Sequence, residues 1–244
     1  MLYIAMTGAI QAMNLQNVQS NNLANVDTTG FKADLAQARA LQVFGPGFDS
    51  RAYSMTERPA TNMEQGTPDY TGRELDVAIK GEGLFVVMDE NGQEAYTRNG
   101  NFFVDQAGFL TTGDGRVLVG NAGPMVLPDY EKIEIGVDGT VSVRGLGQGP
   151  EALVEVDRLK LVKFEPGEIE KGRDGLFRPR EGEAVQPPDF TVQLMTGTLE
   201  KSNVSAVGSM LSILSASRQF ELQVKLMSKA EEMDAAASQG LKIS

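Results

Sequence analysis

The feature that most constrains this 244-residue chain is a change of hydrophobic period, helical at both ends and strand-like between them. At the N-terminus, Tyr3, Met6, Ile10, Met13, Asn17, Ser20 and Ala24 follow alternating steps of three and four, the seam of a heptad. The first half of that seam is apolar and the second half is polar or small. Asn at a seam position weakens pairing but fixes register. The pattern predicts a helix about 36 Å long at 1.5 Å rise per residue. Its stop is Asn25-Val26-Asp27-Thr28-Thr29-Gly30, a run of turn formers in which Gly30 can take the left-handed conformation. Phe31 then folds back as an apolar anchor.

The C-terminal pattern is stronger. Ser205 suits an N-cap, although Gly208 stands where a capping box places Glu. Ala206, Met210, Ile213, Ser217, Phe220, Val224 and Met227 form one seam, and Val207, Leu211, Leu214, Leu222, Leu226 and Met233 form a second stripe beside it. The helix is expected to reach Ser238, with Gly240 as terminator, a length of about 50 Å. Two adjacent stripes require more than one neighbour. A single shorter N-terminal helix does not cover both, so the surplus apolar surface asks for other subunits.

The middle reads differently. Gly45-Pro46-Gly47, Arg58-Pro59 and Thr67-Pro68 mark a long irregular connection. Leu75-Asp76-Val77-Ala78-Ile79 then alternates, and Leu84-Phe85-Val86-Val87-Met88 is a buried-strand run. Asn91-Gly92, Asn99-Gly100, Asp114-Gly115 and Asp138-Gly139 supply hairpin turns between further short apolar runs. The expected fold is α+β: long N- and C-terminal helices forming a coiled-coil-like pair, with an inserted, mostly antiparallel β domain. The expected boundaries are 1–35 for the N-terminal helix and its loop, 36–74 for the connection, 75–199 for the β domain and 200–244 for the C-terminal helix.

Composition limits the chemistry. Cys, His and Trp are absent, which removes Ser-His and Cys-His nucleophiles, thiol redox work and zinc sites with nitrogen or sulfur ligands. A formal net charge of −11 repels phosphate backbones and argues against a nucleic-acid partner. Asp89-Glu90-Asn91-Gly92 and Asp114-Gly115 lack the spaced carboxylates and terminal Glu of a calcium loop, and read as turns. Gly145-Leu146-Gly147-Gln148-Gly149-Pro150 lacks the Lys and Ser/Thr of a phosphate loop. No residue is assigned to catalysis, to a cofactor, to a metal or to a small-molecule substrate. No cleavable signal is expected either: the first cation is Lys32, and Gly8, Gln11 and Asn14 interrupt the apolar residues before it.

Asn22-Leu23-Ala24-Asn25-Val26-Asp27-Thr28-Thr29-Gly30-Phe31-Lys32 resembles the N-terminal signature of flagellar rod and hook proteins. Leu75–Gly83, Tyr96-Thr97-Arg98-Asn99-Gly100, Asp105–Leu110, Asp138–Ser142, Leu199-Glu200-Lys201-Ser202-Asn203-Val204 and Ser217–Glu221 extend the likeness over nearly the whole chain. Short length and Gly123-Pro124-Met125-Val126-Leu127-Pro128 favour the proximal-rod branch. The resemblance implies a structural subunit of the basal-body rod, exported unfolded through the flagellar type III apparatus without a cleaved signal. It also implies assembly in the periplasm with its own copies and neighbouring rod subunits. On that reading Met13, Met210, Ile213, Phe220, Val224 and Met227 are packing anchors, and Asn22, Leu23, Asn25, Gly30 and Phe31 form the helix-to-loop junction. A distal-rod or other axial subunit, a non-flagellar envelope scaffold and a two-carboxylate glycan-cleaving enzyme stay open as alternatives.

Overall fold

In a computed structural model of the chain, residues 2–35, 38–42, 52–56, 60–147, 149, 152–165, 167–180 and 186–242 are described. They form an α+β fold with a long helix at each end, α1 (Leu2–Ala24) and α2 (Ala206–Lys242). Every strand pairing between them is antiparallel among the described residues. The chain divides into two compact units. The helical unit holds residues 1–25, 33–62 and 204–244, and the β unit holds 26–32 and 63–203.

Within the helical unit α1 and α2 pack on each other. Among the described side chains of α1, Ala5, Ala9 and Ala12 are buried, followed at its end by Asn22. This is the predicted alternation of four and three, displaced by one residue, which turns the seam about 100° around the helix. Met6, Ile10 and Met13 consequently stand 43%, 47% and 50% exposed. The physical reason is close approach: small side chains let two helices come together, whereas Met and Ile would hold them apart. Gly8 shows how tight the approach is, since a Cβ there would come within 2.9 Å of the Gln223 side chain.

On α2 the inward residues are Ser209, Ile213, Ala216, Phe220, Gln223, Met227 and Ala230, all buried or half-buried. Ile213, Phe220 and Met227 of the expected seam lie on this face, while Met210 and Val224 are exposed. Ser205 caps the helix, its Oγ accepting the Gly208 N–H at 3.2 Å, so the cap works without a Glu partner. Gly240 does not end the helix as expected; α2 continues through it to Lys242.

The β unit owes its core to the strand Leu84–Met88. A continuous apolar run fits a strand covered on both faces. Phe85 and Val87 join one cluster with Val77, Phe102, Leu110, Leu118, Ile133, Val141 and Leu161. Leu84 and Val86 point to a second cluster with Tyr96, Val162 and Phe177. Phe85 and Phe102 meet edge to face at 5.1 Å. That strand sits inside a five-stranded sheet, between Leu161–Val162 and Glu94–Thr97. A three-stranded sheet is built from Tyr130–Ile135, Thr140–Gly145 and Val154–Arg158.

The expected irregular connection over 36–74 is different in the structure. Ala38–Gln42 pairs with Ala52–Thr56, and Asp34–Leu35 with Ala60–Thr61, all in the helical unit. Pro68–Tyr70 pairs with Thr198–Glu200 in the β unit. Such short strands are held by backbone hydrogen bonds and carry too few apolar residues to show a period of two. The expected turns at Gly45-Pro46-Gly47 and Arg58-Pro59 lie outside the described residues.

Candidate functional site

The N-terminal signature begins on the last turn of α1. Asn22 is buried and uses both ends of its amide on one residue: Nδ2 donates to the Asp34 carbonyl at 2.8 Å, and Oδ1 accepts the Asp34 N–H at 2.9 Å. Only an amide side chain offers a donor and an acceptor in that geometry, so Asn22 acts as a piece of strand for the backbone that returns beside it. Asn25 closes the helix, its N–H reaching the carbonyls of Asn21 and Asn22 and its Nδ2 donating to Asn21 at 2.9 Å. Leu23 is half-buried.

The other half of the signature belongs to the β unit. Gly30 has φ +68°, and its N–H donates to the Glu200 carbonyl at 2.7 Å. Any Cβ at this position would run into the Arg98 carbonyl, so the position excludes every other residue twice over. Phe31 is half-buried, with the Lys171 ammonium 3.7 Å from its ring centre. The same ammonium donates to the Lys32 carbonyl at 2.8 Å, and the Phe31 carbonyl accepts the Asn203 N–H at 3.3 Å.

Lys32 ends the signature at a buried ionic node. Its ammonium meets Glu200 Oε1 at 2.6 Å, both side chains being 1% exposed, and donates to the Glu64 carbonyl at 2.7 Å. Glu200 Oε1 also accepts the Gly66 N–H at 3.0 Å. Arg98 covers the other oxygen, Nε at 2.9 Å and Nη2 at 2.7 Å from Oε2, and spends its remaining donors on the carbonyls of Gly83 and Gly81. Two cations thus share one carboxylate. Burial pushes the Lys32 ammonium below its ordinary pKa, opposed by its hydrogen bond and attraction to Glu200, with repulsion from Arg98 lowering it further.

The structure therefore joins the signature stretches that lie far apart in the chain. Gly81 and Gly83, Arg98, Glu200 and Asn203 all touch residues 30–32 or their direct partners. Gly30 and Phe31 belong to this junction, and Asn22 and Asn25 to the helix end in the other unit. Sequence reasoning quoted Glu200 and Arg98 inside motifs but gave neither a role, and it passed over Gly66 and Lys171. The available signal was a charged residue in an otherwise strand-forming segment, at Arg98 after Tyr96-Thr97 and at Glu200 after Thr198-Leu199.

The acidic turns hold themselves. Asp89 Oδ1 accepts the N–H groups of Asn91 and Gln93, each at 2.9 Å, and Arg178 reaches Oδ2 at 3.1 Å. The backbone hydrogen bond from Gln93, aided by Arg178, keeps the Asp89 carboxyl below its usual pKa against the cost of burial. In the turn between Tyr130–Ile135 and Thr140–Gly145, Asp138 accepts the Thr140 N–H on Oδ1 at 3.2 Å and the Thr140 hydroxyl on Oδ2 at 2.8 Å. Among the described residues no three acidic side chains cluster closely enough to hold a metal ion, and no helix is long and apolar enough to cross a membrane.

Three family models match the chain: the flagella basal body rod protein model over residues 2–32, the flagellar hook protein FlgE/F/G D1 domain over 78–143, and the flagellar basal body rod FlgEFG protein C-terminal over 195–240. The flagellar basal-body rod protein FlgF of Escherichia coli (strain K12) is 40% identical over 248 aligned residues, covering 100% of this chain and 98% of the relative. The chain belongs to the flagellar basal-body rod protein family. A second FlgF, from Caulobacter vibrioides, is 30% identical, covering 98% of this chain and 97% of its own. The rod protein FlgG of Bacillus subtilis is 31% identical, with 95% of each chain covered. Membership makes this chain a structural subunit of the flagellar basal body, and the identities set it with the FlgF branch. The two terminal family models fall on α1 with its signature and on α2, and the third on the β unit.

Proposed function

We propose that this rod subunit polymerises through its terminal helices, a coiled-coil-like pair, into the axial drive shaft of the proximal rod. The observation that carries the reading is the outer stripe of α2. Val207, Leu211, Leu214, Leu222, Leu226 and Met233 are 57–71% exposed on a single helix. Met210 and Val224 extend that apolar surface, and Met6, Ile10 and Met13 repeat the pattern on α1. Fully burying one such side chain is worth about 1.5–3 kcal/mol. Half that gain on each of six residues is enough to drive association of subunits aligned in a polymer. A surface of one subunit that meets a different surface of the next extends without closing, as a shaft requires.

On this reading Met13, Met210 and Val224 contact neighbouring copies, while Ile213, Phe220 and Met227 hold the helix pair that presents them. The partners are further copies and adjacent rod proteins. The chain reaches them by passing unfolded through the flagellar type III export apparatus without a cleaved signal, and it assembles in the periplasm without catalysing a reaction. The likeness to FlgF and FlgG relatives supports these steps. The test is complementation of a deletion strain with Leu214→Asp/Leu222→Asp, swimming and cryo-tomography of the rod being scored. Arrested rods are expected, because the two carboxylates face the next subunit. Normal rods and normal swimming sink the proposal.

A further inference from the structure

The chain passes between its two units at residues 25–26, 32–33, 62–63 and 203–204. Three stretches of the β unit flank these crossings: 26–32, the residues from 63 onward, and those up to 203. All three converge on one side chain. Glu200 receives Lys32 from the first stretch and the Gly66 N–H from the second, and itself belongs to the third. Cross-links tie the stretches again around it: Gly30 N–H to the Glu200 carbonyl, Lys32 Nζ to the Glu64 carbonyl, Asn203 N–H to the Phe31 carbonyl, and Lys201 N–H to the Thr67 carbonyl. Arg98 anchors the carboxylate to the sheet.

We propose that the Glu200 carboxylate is a latch that fixes all three stretches to the β unit in one event. It closes only when residue 200 has joined the fold, and until then leaves the Gly30 N–H and the Lys32 ammonium without their partners on Glu200. The order follows from separation in the chain. The contacts of Glu200 with Lys32, Gly66 and Arg98 span 168, 134 and 102 residues. Among the described residues Glu200 is the one carboxylate paired with the Lys32 ammonium. Before that carboxylate arrives, burying Lys32 beside Arg98 would place two unpaired cations in a dry site, which is strongly unfavourable. The latch therefore cannot close early. Once residue 200 is in place, each contact lowers the cost of the next, and the stretches lock together. A chain delivered N-terminus first thus leaves the Lys32 ammonium unlatched until residue 200 has followed.

The test uses the full chain and residue-resolved amide hydrogen exchange. In Lys32→Met the carboxylate keeps Arg98 and the Gly66 N–H, so independent contacts would leave Gly66 as protected as before. The latch predicts that Gly30, Gly66 and Asn203 all exchange faster, by a common factor of about tenfold or more. Val86 and Met88 in the central strand should keep their protection. Gly30 accelerating while Gly66 does not overturns the proposal. So does a rise in exchange at Val86 and Met88 equal to that at Gly30, which would make the node a support of the whole sheet. Pulse labelling during refolding of the unaltered chain checks the order. Gly30 and Gly66 should gain protection in the same phase, no earlier than Thr198; protection of Gly66 ahead of Thr198 overturns it as well.

Discussion

The two units use apolar residues in opposite ways. In the β unit Phe85, Val86, Val87, Phe102 and Leu110 are fully buried, and the core is closed by the chain itself. Among the described residues of the helical unit the buried apolar ones are the small Ala5, Ala9, Ala12 and Ala216, with Ile213, Phe220 and Met227 half-buried beside them, while Met6, Ile10 and Met13 of α1 and the outer stripe of α2 are exposed. One unit buries its apolar surface in its own core; the other leaves much of it exposed. One chain thus holds a unit with a closed apolar core and a unit whose apolar residues stand largely exposed.

The sharpest way to break this contrast is to truncate one large side chain in each unit. Phe85→Ala should destabilise the β unit by about 3–5 kcal/mol in urea unfolding, since it opens a cavity at the centre of the core. Leu214→Ala should stay within about 0.5 kcal/mol, because the side chain is 57% exposed. Comparable losses would mean that the two units do not differ in kind.

The node between the signature stretches offers the next contrast. Glu200→Ala leaves two buried cations unpaired, and a loss of about 3–5 kcal/mol is expected. Lys32→Met removes one of two cations that compete for a single carboxylate and leaves Glu200 with Arg98, so about 1–2 kcal/mol is expected from the hydrogen bonds lost. Denaturant midpoints measured side by side decide the order. If Lys32→Met proves the more damaging, the charge accounting at this site is wrong.

A smaller effect separates the two faces of α1. Ala12→Leu forces a large side chain into the helix pair and should cost about 1–3 kcal/mol, read as loss of helical circular dichroism at lower temperature. Met13→Leu, one residue around the helix, should leave the melting curve of the dilute protein unchanged. Equal effects would show that the pair does not close on its small residues.

The smallest expected effect lies in a turn. Asp89 has a depressed pKa in the fold, so its contribution is present above the ordinary carboxylate pKa of 3.8 and is lost as pH falls through the depressed value. Asp89→Asn should therefore be less stable than the parent at neutral pH, and the difference should shrink on acidification below pH 3.8. A difference that stays constant down to low pH would remove the charge from the explanation.

The sequence by itself determined the larger plan. Helix and strand periods differ, so the two helices and the strands around Leu84–Met88 were legible, as were Gly30 as a left-handed stop and Ser205 as a cap. Each is a local property of a few neighbouring residues. Tertiary structure decided which face of α1 turns inward. Met6, Ile10 and Met13 outrank Ala5, Ala9 and Ala12 on any scale of apolarity, yet close approach selects the smaller set and the larger one is left exposed. The short strands in 38–70 were likewise hidden, because their partners, not their own pattern, define them. So was the role of Glu200. Its meaning depends on Lys32, 168 residues away, and no local pattern reports a partner brought near only by the fold.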